Sequence, residues 1–312
     1  MYIGIDLGGT NIAVGLVSDD GRIISSSSTP TLSSRPWQEI VKDMAELSIK
    51  VTEDAGYKME DVAAIGIGSP GTVDNKRGIV TYANNIPFKN TPIVEEMHKY
   101  VKNPINIEND ANAAAFGEYV ATGATSDNFV FITLGTGVGG GIVLDGKIFR
   151  GFNGAGAELG HFILDIDGEP CTCGNNGCWE AYASVTALIR QTKAAMEKNP
   201  DSLMHAVAEE EGKVSGRTAF IADEKGDSAA HEVVKKYIEY VAVGVASMVN
   251  IFQPEILVIG GGISKEGDKL LLPVKEMVNK LDYNKYMPKT DIRIAKLYND
   301  AGIIGAALAA RK

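Results

Sequence analysis

All three cysteines of the chain fall within eight residues, as Cys171-Thr-Cys173-Gly-Asn-Asn-Gly-Cys178, ten positions after the turn Glu158-Leu-Gly-His161. Three thiols and one imidazole make four soft donors, the set that tetrahedral Zn²⁺ takes at structural sites. Gly174 and Gly177 let the chain reverse tightly enough for the sulfurs to converge on one centre. A shell of His161, Cys171, Cys173 and Cys178 is full, so such an ion would pin structure rather than activate water. Two plainer readings compete: a small Cys171–Cys173 disulfide that leaves Cys178 free, and three buried, inert thiols. Clustering beside His161 favours the metal. Glu158 and Glu180 bracket the cluster, so an ion there would fix two carboxylates in space.

Two further carboxylates sit where sheets end. Ile105-Asn-Ile-Glu108 is predicted as a short strand and Ala111–Val120 as a helix, with Asn109-Asp110 at the junction. Asp110 could serve as a helix N-cap. The crowding of Glu108, Asn109, Asp110 and Asn112 at one strand end, where α/β proteins place ligands, favours chemistry. Asp6 closes the first predicted strand beside a glycine turn. It is a candidate Mg²⁺ ligand, usually through water, because Mg²⁺ keeps most of its hydration shell.

The elements that must position these groups come as a pattern that appears twice. Tyr2–Ser28 alternates strand, Leu7-Gly-Gly-Thr10 turn, strand, Asp20-Gly21 reversal and strand. Phe129–Gly151 repeats the order with Leu134-Gly-Thr-Gly137 and Asp145-Gly146. A helix near Trp37–Ala55 precedes a buried strand at Val62–Gly68. A long helix over Ser228–Phe252 likewise precedes the strand Glu255–Gly260. Recurrence of one unit implies two related α/β domains with facing first turns and a cleft. We expect the first domain at 1–116, rejoined by 302–312, and the second at 117–301. Gly8, Gly9, Thr10 and Asn11 on one side, and Thr133, Gly135, Thr136 and Gly137 on the other, could direct backbone N–H groups at a polyphosphate. Neither turn is followed by the Gly-Lys-Ser/Thr of a P-loop. Gly261 and Gly262, ahead of a helix expected to start at Ser264, offer a further nucleotide contact.

Composition narrows the class. A formal net charge of −10 over 312 residues argues against an extended nucleic-acid footprint. No apolar run reaches the roughly eighteen residues of a membrane span, and no leader pattern precedes Ile3, so a reducing cytoplasm is expected.

The segments IGIDLGGTN, IENDANAAAFGE, ITLGTGVGGGI, GAELGH and CTCGNNGCWE, in that order, resemble the ROK family and within it the glucokinase group. The resemblance implies the duplicated actin-like (sugar kinase/ribonuclease H-like) two-domain α/β fold. It implies ATP-dependent phosphorylation of a hexose, most simply glucose at O6, with Mg²⁺ and a structural Zn²⁺. Asp110 then corresponds to the general base; Asn85, Asn109, Asp110, Glu158, His161 and Glu180 to sugar contacts; and His161, Cys171, Cys173 and Cys178 to the zinc ligands. In Tyr82-Ala-Asn84-Asn85 either asparagine could serve, and Asn85 is preferred. A homodimer or homotetramer is implied. The family's repressors carry a helix-turn-helix ahead of the first glycine motif; here that motif starts at residue 3. The rival readings are an N-acetylhexosamine, mannose or fructose kinase of the same family, and a non-catalytic sugar sensor.

Overall fold

The computed structural model describes residues 1–311. Its first sheet is built from β1 (Tyr2–Leu7), β2 (Asn11–Val17), β3 (Ile23–Pro30), β4 (Ala64–Ser69) and, after a small meander of β5 (Thr72–Asp74), β6 (Ile79–Tyr82) and β7 (Lys89–Thr91), β8 (Ile105–Asn109). The strand order is β3-β2-β1-β4-β8, with β1, β4 and β8 parallel and the β1–β2–β3 pairs antiparallel. The second sheet uses β9 (Asn128–Leu134), β10 (Val138–Leu144), β11 (Lys147–Ile148), β12 (Ile256–Gly260) and β13 (Asp291–Ile294) in the order β11-β10-β9-β12-β13. The two orders are the same once strands are renumbered within each half, so the duplicated pattern folds as a duplicated sheet.

The helices are α1 (Trp37–Asp54), α2 (Ile93–Met97), α3 (Asp110–Ala121), α4 (Glu180–Ala183), α5 (Val185–Lys198), α6 (Met204–Glu210), α7 (Thr218–Glu224), α8 (Ser228–Phe252), α9 (Asp268–Leu281) and α10 (Ala301–Ala309). Two compact units result. One comprises Met1–Phe129, Gly141–Ala157 and Lys296–Lys312; the other Val130–Gly140 and Glu158–Ala295. The limits expected at 116 and 301 fall within α3 and on the first residue of α10, whereas these units keep both helices whole.

The period of two along β1 decides what each face of the first sheet does. Ile3, Ile5 and Leu7 are fully buried in one core with Ile12, Val14, Leu16 and the α1 residues Ile40, Val41 and Met44. Each such side chain contributes about 1.5–3 kcal/mol by leaving water. The alternate residues, Gly4 and Asp6, face α10. Gly4 pairs with Gly15 on β2 and Gly66 on β4, a glycine row across three strands. A Cβ on Gly4 would lie 1.8 Å from the Ile303 carbonyl oxygen, and one on Gly66 1.7 Å from that of Ala306. Only bare backbone lets α10 lie this close to the sheet. The same closeness sets the helix start against Asp6: a Cβ on Gly302 would stand 2.6 Å from its carboxylate. The approach of α10 is held by Glu118 of α3, 1% exposed, whose carboxylate accepts the backbone N–H groups of Lys296 and Leu297 at 3.0 and 2.8 Å.

In the second unit α8 carries Tyr237 into the interior and packs against Trp179, the residue ahead of α4. Trp179 is fully buried over Gly244, and its Nε1 donates to the Tyr240 carbonyl at 2.7 Å. Burial of Trp179, one residue from Glu180, fixes the stem of the cysteine loop. No described helix is long and apolar enough to cross a membrane.

Candidate active site

In the first unit the glycine turn after β1 is held from several sides. The Gly8 N–H donates to the Asn11 carbonyl at 2.9 Å. Thr31 clamps the turn, its Oγ1 donating to the Gly8 carbonyl at 2.7 Å and its N–H to that of Thr10 at 2.8 Å. Thr10 and Asn11 stay exposed. Asn85 lies over the turn, close enough that a Cβ on Gly9 would be 2.9 Å from its Nδ2. The structure therefore brings Asn85 to the turn at the end of β1.

At the β8–α3 junction the N-cap is Asn109, not Asp110. The Asn109 Oδ1 accepts the Asn112 N–H at 3.1 Å, and its Nδ2 donates to the Gly71 carbonyl at 3.1 Å. Asp110 is the first helical residue, and its Oδ1 accepts the adjacent Ala111 N–H at 2.8 Å. Capping thus falls to the neighbour that can reach the helix N–H with least distortion, and Asp110 is released. Burial pushes the Asp110 carboxyl upward from its ordinary value despite those backbone bonds. Asp6 is raised to about 6, first by burial and then by the like charge of Asp110. Two neighbouring carboxylates, each harder to ionise than in water, form an electrostatically unfinished pair that a proton or a cation would complete.

Behind Asp110, Glu108 is 3% exposed. One oxygen accepts the Asn109 N–H at 3.1 Å and the Asn112 amide at 3.3 Å. The other receives Nε and a terminal nitrogen of Arg150, each at 2.6 Å. Arg150 has no place in the sequence expectations. Its only signal there is a lone cation at the head of the glycine-rich run that leads to Glu158.

In the second unit Leu134-Gly-Thr-Gly137 forms a tight reversal, with the Gly135 N–H donating to the Gly137 carbonyl at 2.9 Å. The start of α5 braces it: the Val185 N–H reaches the Gly135 carbonyl at 2.8 Å, and Thr186 Oγ1 the Thr136 carbonyl at 2.7 Å. Thr133 is partly buried at the end of β9. Gly261, at φ +84°, packs on Leu134, where a Cβ would be 2.3 Å from the carbonyl oxygen. Gly135 and Gly262 both face open space. The second and third glycine clusters therefore share one corner. The helix expected from Ser264 does not start there: Gly262–Glu266 is a single 3₁₀ stretch, and α9 begins at Asp268 after Gly267 turns at φ +60°. Ser264 Oγ donates instead to the Gly261 carbonyl at 2.7 Å, shaping the glycine loop.

Glu180 joins this corner to the cysteine loop. One oxygen accepts the Val138 N–H at 2.9 Å, and the other accepts from Thr172 Oγ1 at 3.3 Å and Cys171 Sγ at 3.6 Å. Exposed Glu158 opens the 3₁₀ turn Leu159–His161, its carbonyl accepting the His161 N–H at 3.1 Å.

The donor atoms of His161, Cys171, Cys173 and Cys178 all lie within 4.8 Å of one another. Cys173 and Cys178 Sγ are 3.6 Å apart, and Cys171 Sγ is 3.7 Å from His161 Nδ1. A tetrahedral ion with metal–sulfur bonds near 2.3 Å has sulfur–sulfur edges of about 3.8 Å, so the donor set fits zinc in number, chemistry and spacing. All three thiols are free rather than paired in a disulfide. Because the close contact uses Nδ1, the Nε2 of His161 is left for another partner.

The ROK family model matches residues 2–312. The glucokinase of Thermotoga maritima is 38% identical over 98% of this chain and 95% of its own length, and that of Streptomyces coelicolor 36% identical over 100% and 98%. The crystal structure of a ROK family glucokinase from Streptomyces griseus, in complex with glucose and AMPPNP, superposes with a TM-score of 0.82 at 36% identity, covering 98% of this chain and 97% of that one. The ROK hexokinase of Thermus thermophilus gives 0.80 at 34%, covering 98% and 96%. The duplicated α/β architecture is that of the actin-like sugar kinases.

Proposed function

The chain belongs to the ROK family, and we propose that it is a glucokinase, transferring the terminal phosphoryl group of ATP to the O6 hydroxyl of glucose. The observation that carries this reading is the state of Asp110. It is a partly buried carboxylate, spared from helix capping and proton-hungry through burial. A sugar sensor has no need of such a base. A kinase needs one to align an alcohol and accept its proton as the O–P bond forms.

We assign the sugar hydroxyls to Asn85, Asn109, Asp110, Glu158, His161 and Glu180. Carboxylates suit this task because each can accept from two hydroxyls, which fixes ring orientation as well as affinity. Asn85 is favoured over Asn84 because it lies on the Gly9 turn. The phosphates fall to backbone N–H groups of Gly8, Gly9, Thr10 and Asn11 and of Thr133, Gly135, Thr136 and Gly137, with Gly261 and Gly262 lining the nucleoside. Such donors cost no reorganisation during transfer. Asp6 is the residue that would hold Mg²⁺, through water, and the ion's charge would relieve the Asp6–Asp110 repulsion. His161, Cys171, Cys173 and Cys178 would hold a structural zinc, which would lock the His161 ring and leave Nε2 to donate to a sugar hydroxyl. We further assign the enzyme to carbohydrate metabolism in the cytoplasm, acting as a homodimer or homotetramer.

A coupled assay with Mg-ATP and a panel of glucose, mannose, fructose, N-acetylglucosamine and N-acetylmannosamine tests the reading. Glucose is expected to give the highest kcat/KM. A higher value for an N-acetylhexosamine would move the assignment to the rival kinase, and no ADP release with any sugar would leave only the sensor.

A further inference from the structure

Glu108 is the least exposed carboxylate near Asp110, and it is held from both sides. Arg150 donates twice to one oxygen, while the other accepts the N–H of Asn109 and the amide of Asn112. Asn109 and Asn112 are the two ends of the cap that starts α3, and Asp110 is the residue between cap and first turn. The register of β8 against β4, Gly68 with Glu108 and Ser69 with Asn109, fixes the strand side of the junction. On the helix side these side-chain bonds act together with the bond from Asn109 Nδ2 to the Gly71 carbonyl.

We propose that the Arg150–Glu108 pair is a positioning device for the base: it acts through the Asn109 cap to set the direction of the Asp110 carboxylate, without touching substrate. This rests on the assignment of Asp110 as base. A carboxylate that is 3% exposed cannot stay ionised without a partner. With its cation gone, Glu108 must swing out to water or take up a proton. Swinging out removes the acceptor that orients the Asn109 N–H, and protonation replaces it with a weaker, neutral one. The helix start then loosens, and Asp110 loosens with it. Misplacement of a reacting group by about 1 Å costs on the order of 100-fold in rate, so a loosened base lowers kcat while leaving nucleotide binding alone.

Arg150 also begins the run Arg150-Gly-Phe-Asn-Gly-Ala-Gly-Ala157, which leads directly to Glu158. Its carbonyl accepts the Gly156 N–H at 3.0 Å, closing that run into a loop. One residue therefore anchors both the base's strand end and the loop preceding an assigned sugar contact. That arrangement predicts a rise in sugar KM alongside the fall in kcat when the anchor is removed.

The test uses the full-length enzyme with four variants: Arg150→Met, Arg150→Lys, Glu108→Gln and the double variant Arg150→Met/Glu108→Gln. Arg150→Met is expected to lose roughly 10- to 100-fold in kcat with the KM for ATP unchanged within about twofold. The double variant leaves no buried charge and keeps an acceptor for Asn109. It is expected to recover most of the lost kcat, whereas Arg150→Lys, which keeps the charge without the fork, falls in between. If Arg150→Met does not fold, the double variant against Glu108→Gln alone still decides. Glu108→Gln alone, whose amide N–H₂ must face either the Arg150 fork or the Asn109 N–H, is expected below the double variant in kcat; equal kcat in those two overturns the device. Arg150→Met with kcat within about twofold of wild type also overturns it. Failure of the base assignment itself is read separately, as an Asp110→Asn variant that keeps wild-type turnover.

Discussion

Replacing Asp6 by Asn should make the ligand-free protein more stable at pH 8 while depriving it of activity. In the unfolded chain this carboxyl ionises near 3.8; in the fold, burial and the charge of Asp110 raise it to about 6. Between those values the folded protein binds a proton that the unfolded chain has released. The raised value therefore favours the folded state at low pH, and that advantage is lost as pH rises through 6. Ionisation inside the fold is thus about 3 kcal/mol harder than in water. Because solvent still reaches part of the side chain, roughly 1–3 kcal/mol is the expected range. Asparagine has nearly the same shape and cannot ionise. Its benefit is near zero at pH 4 and full at pH 8, a gain in Tm of roughly 3–8 °C at the higher pH. Thermal melts of both proteins without nucleotide or Mg²⁺, at pH 4 and pH 8, read this directly. A lower Tm for the variant at pH 8, or an equal gain at both pH values, would show that Asp6 is not held in the fold as a strained carboxylate.

Cys173→Ser should drop bound zinc from about one ion per chain to a small fraction of that, measured by atomic absorption, and raise the sugar KM; unchanged metal content would end the four-donor assignment. Gly137→Ala drives a Cβ to 2.3 Å from a Glu180 oxygen. It should raise the sugar KM about tenfold with little change in Tm, whereas an unaltered KM removes Glu180 from the sugar shell. Gly4→Ala meets the Ile303 carbonyl at 1.8 Å and should cost more than about 3 kcal/mol, because backbone cannot step aside as a side chain does. A soluble variant with wild-type Tm would contradict the close seating of α10.

What the sequence made legible was governed by local rules. The strands flanking Leu7-Gly-Gly-Thr10 and Leu134-Gly-Thr-Gly137 follow from alternation and turn chemistry, and α8 occupies Ser228–Phe252 as its apolar period requires. The cysteine cluster was visible because its donors are close in the chain as well as in space. Two adjacent residues able to cap, Asn109 and Asp110, could not be told apart by type, since the choice depends on which oxygen meets the Asn112 N–H. The start of α9 was misplaced because Ser264 resembles a cap, whereas Gly267 at positive φ resets the chain before the helix begins. The Arg150–Glu108 pair spans 42 positions, and no local pattern relates its members. The glycine row of Gly4, Gly15 and Gly66 was equally hidden, because its meaning lies in cross-strand register and in a helix almost 300 residues later.

The most direct measurement follows labelled phosphate from γ-labelled ATP into glucose, with the wild-type enzyme and Asp110→Asn side by side. Label should appear on glucose O6 with the wild type and slow by roughly 10²–10⁴-fold in the variant, while glucose still binds. Label on another hydroxyl, or an Asp110→Asn variant that turns over at the wild-type rate, would contradict the assignment of this carboxylate as the base.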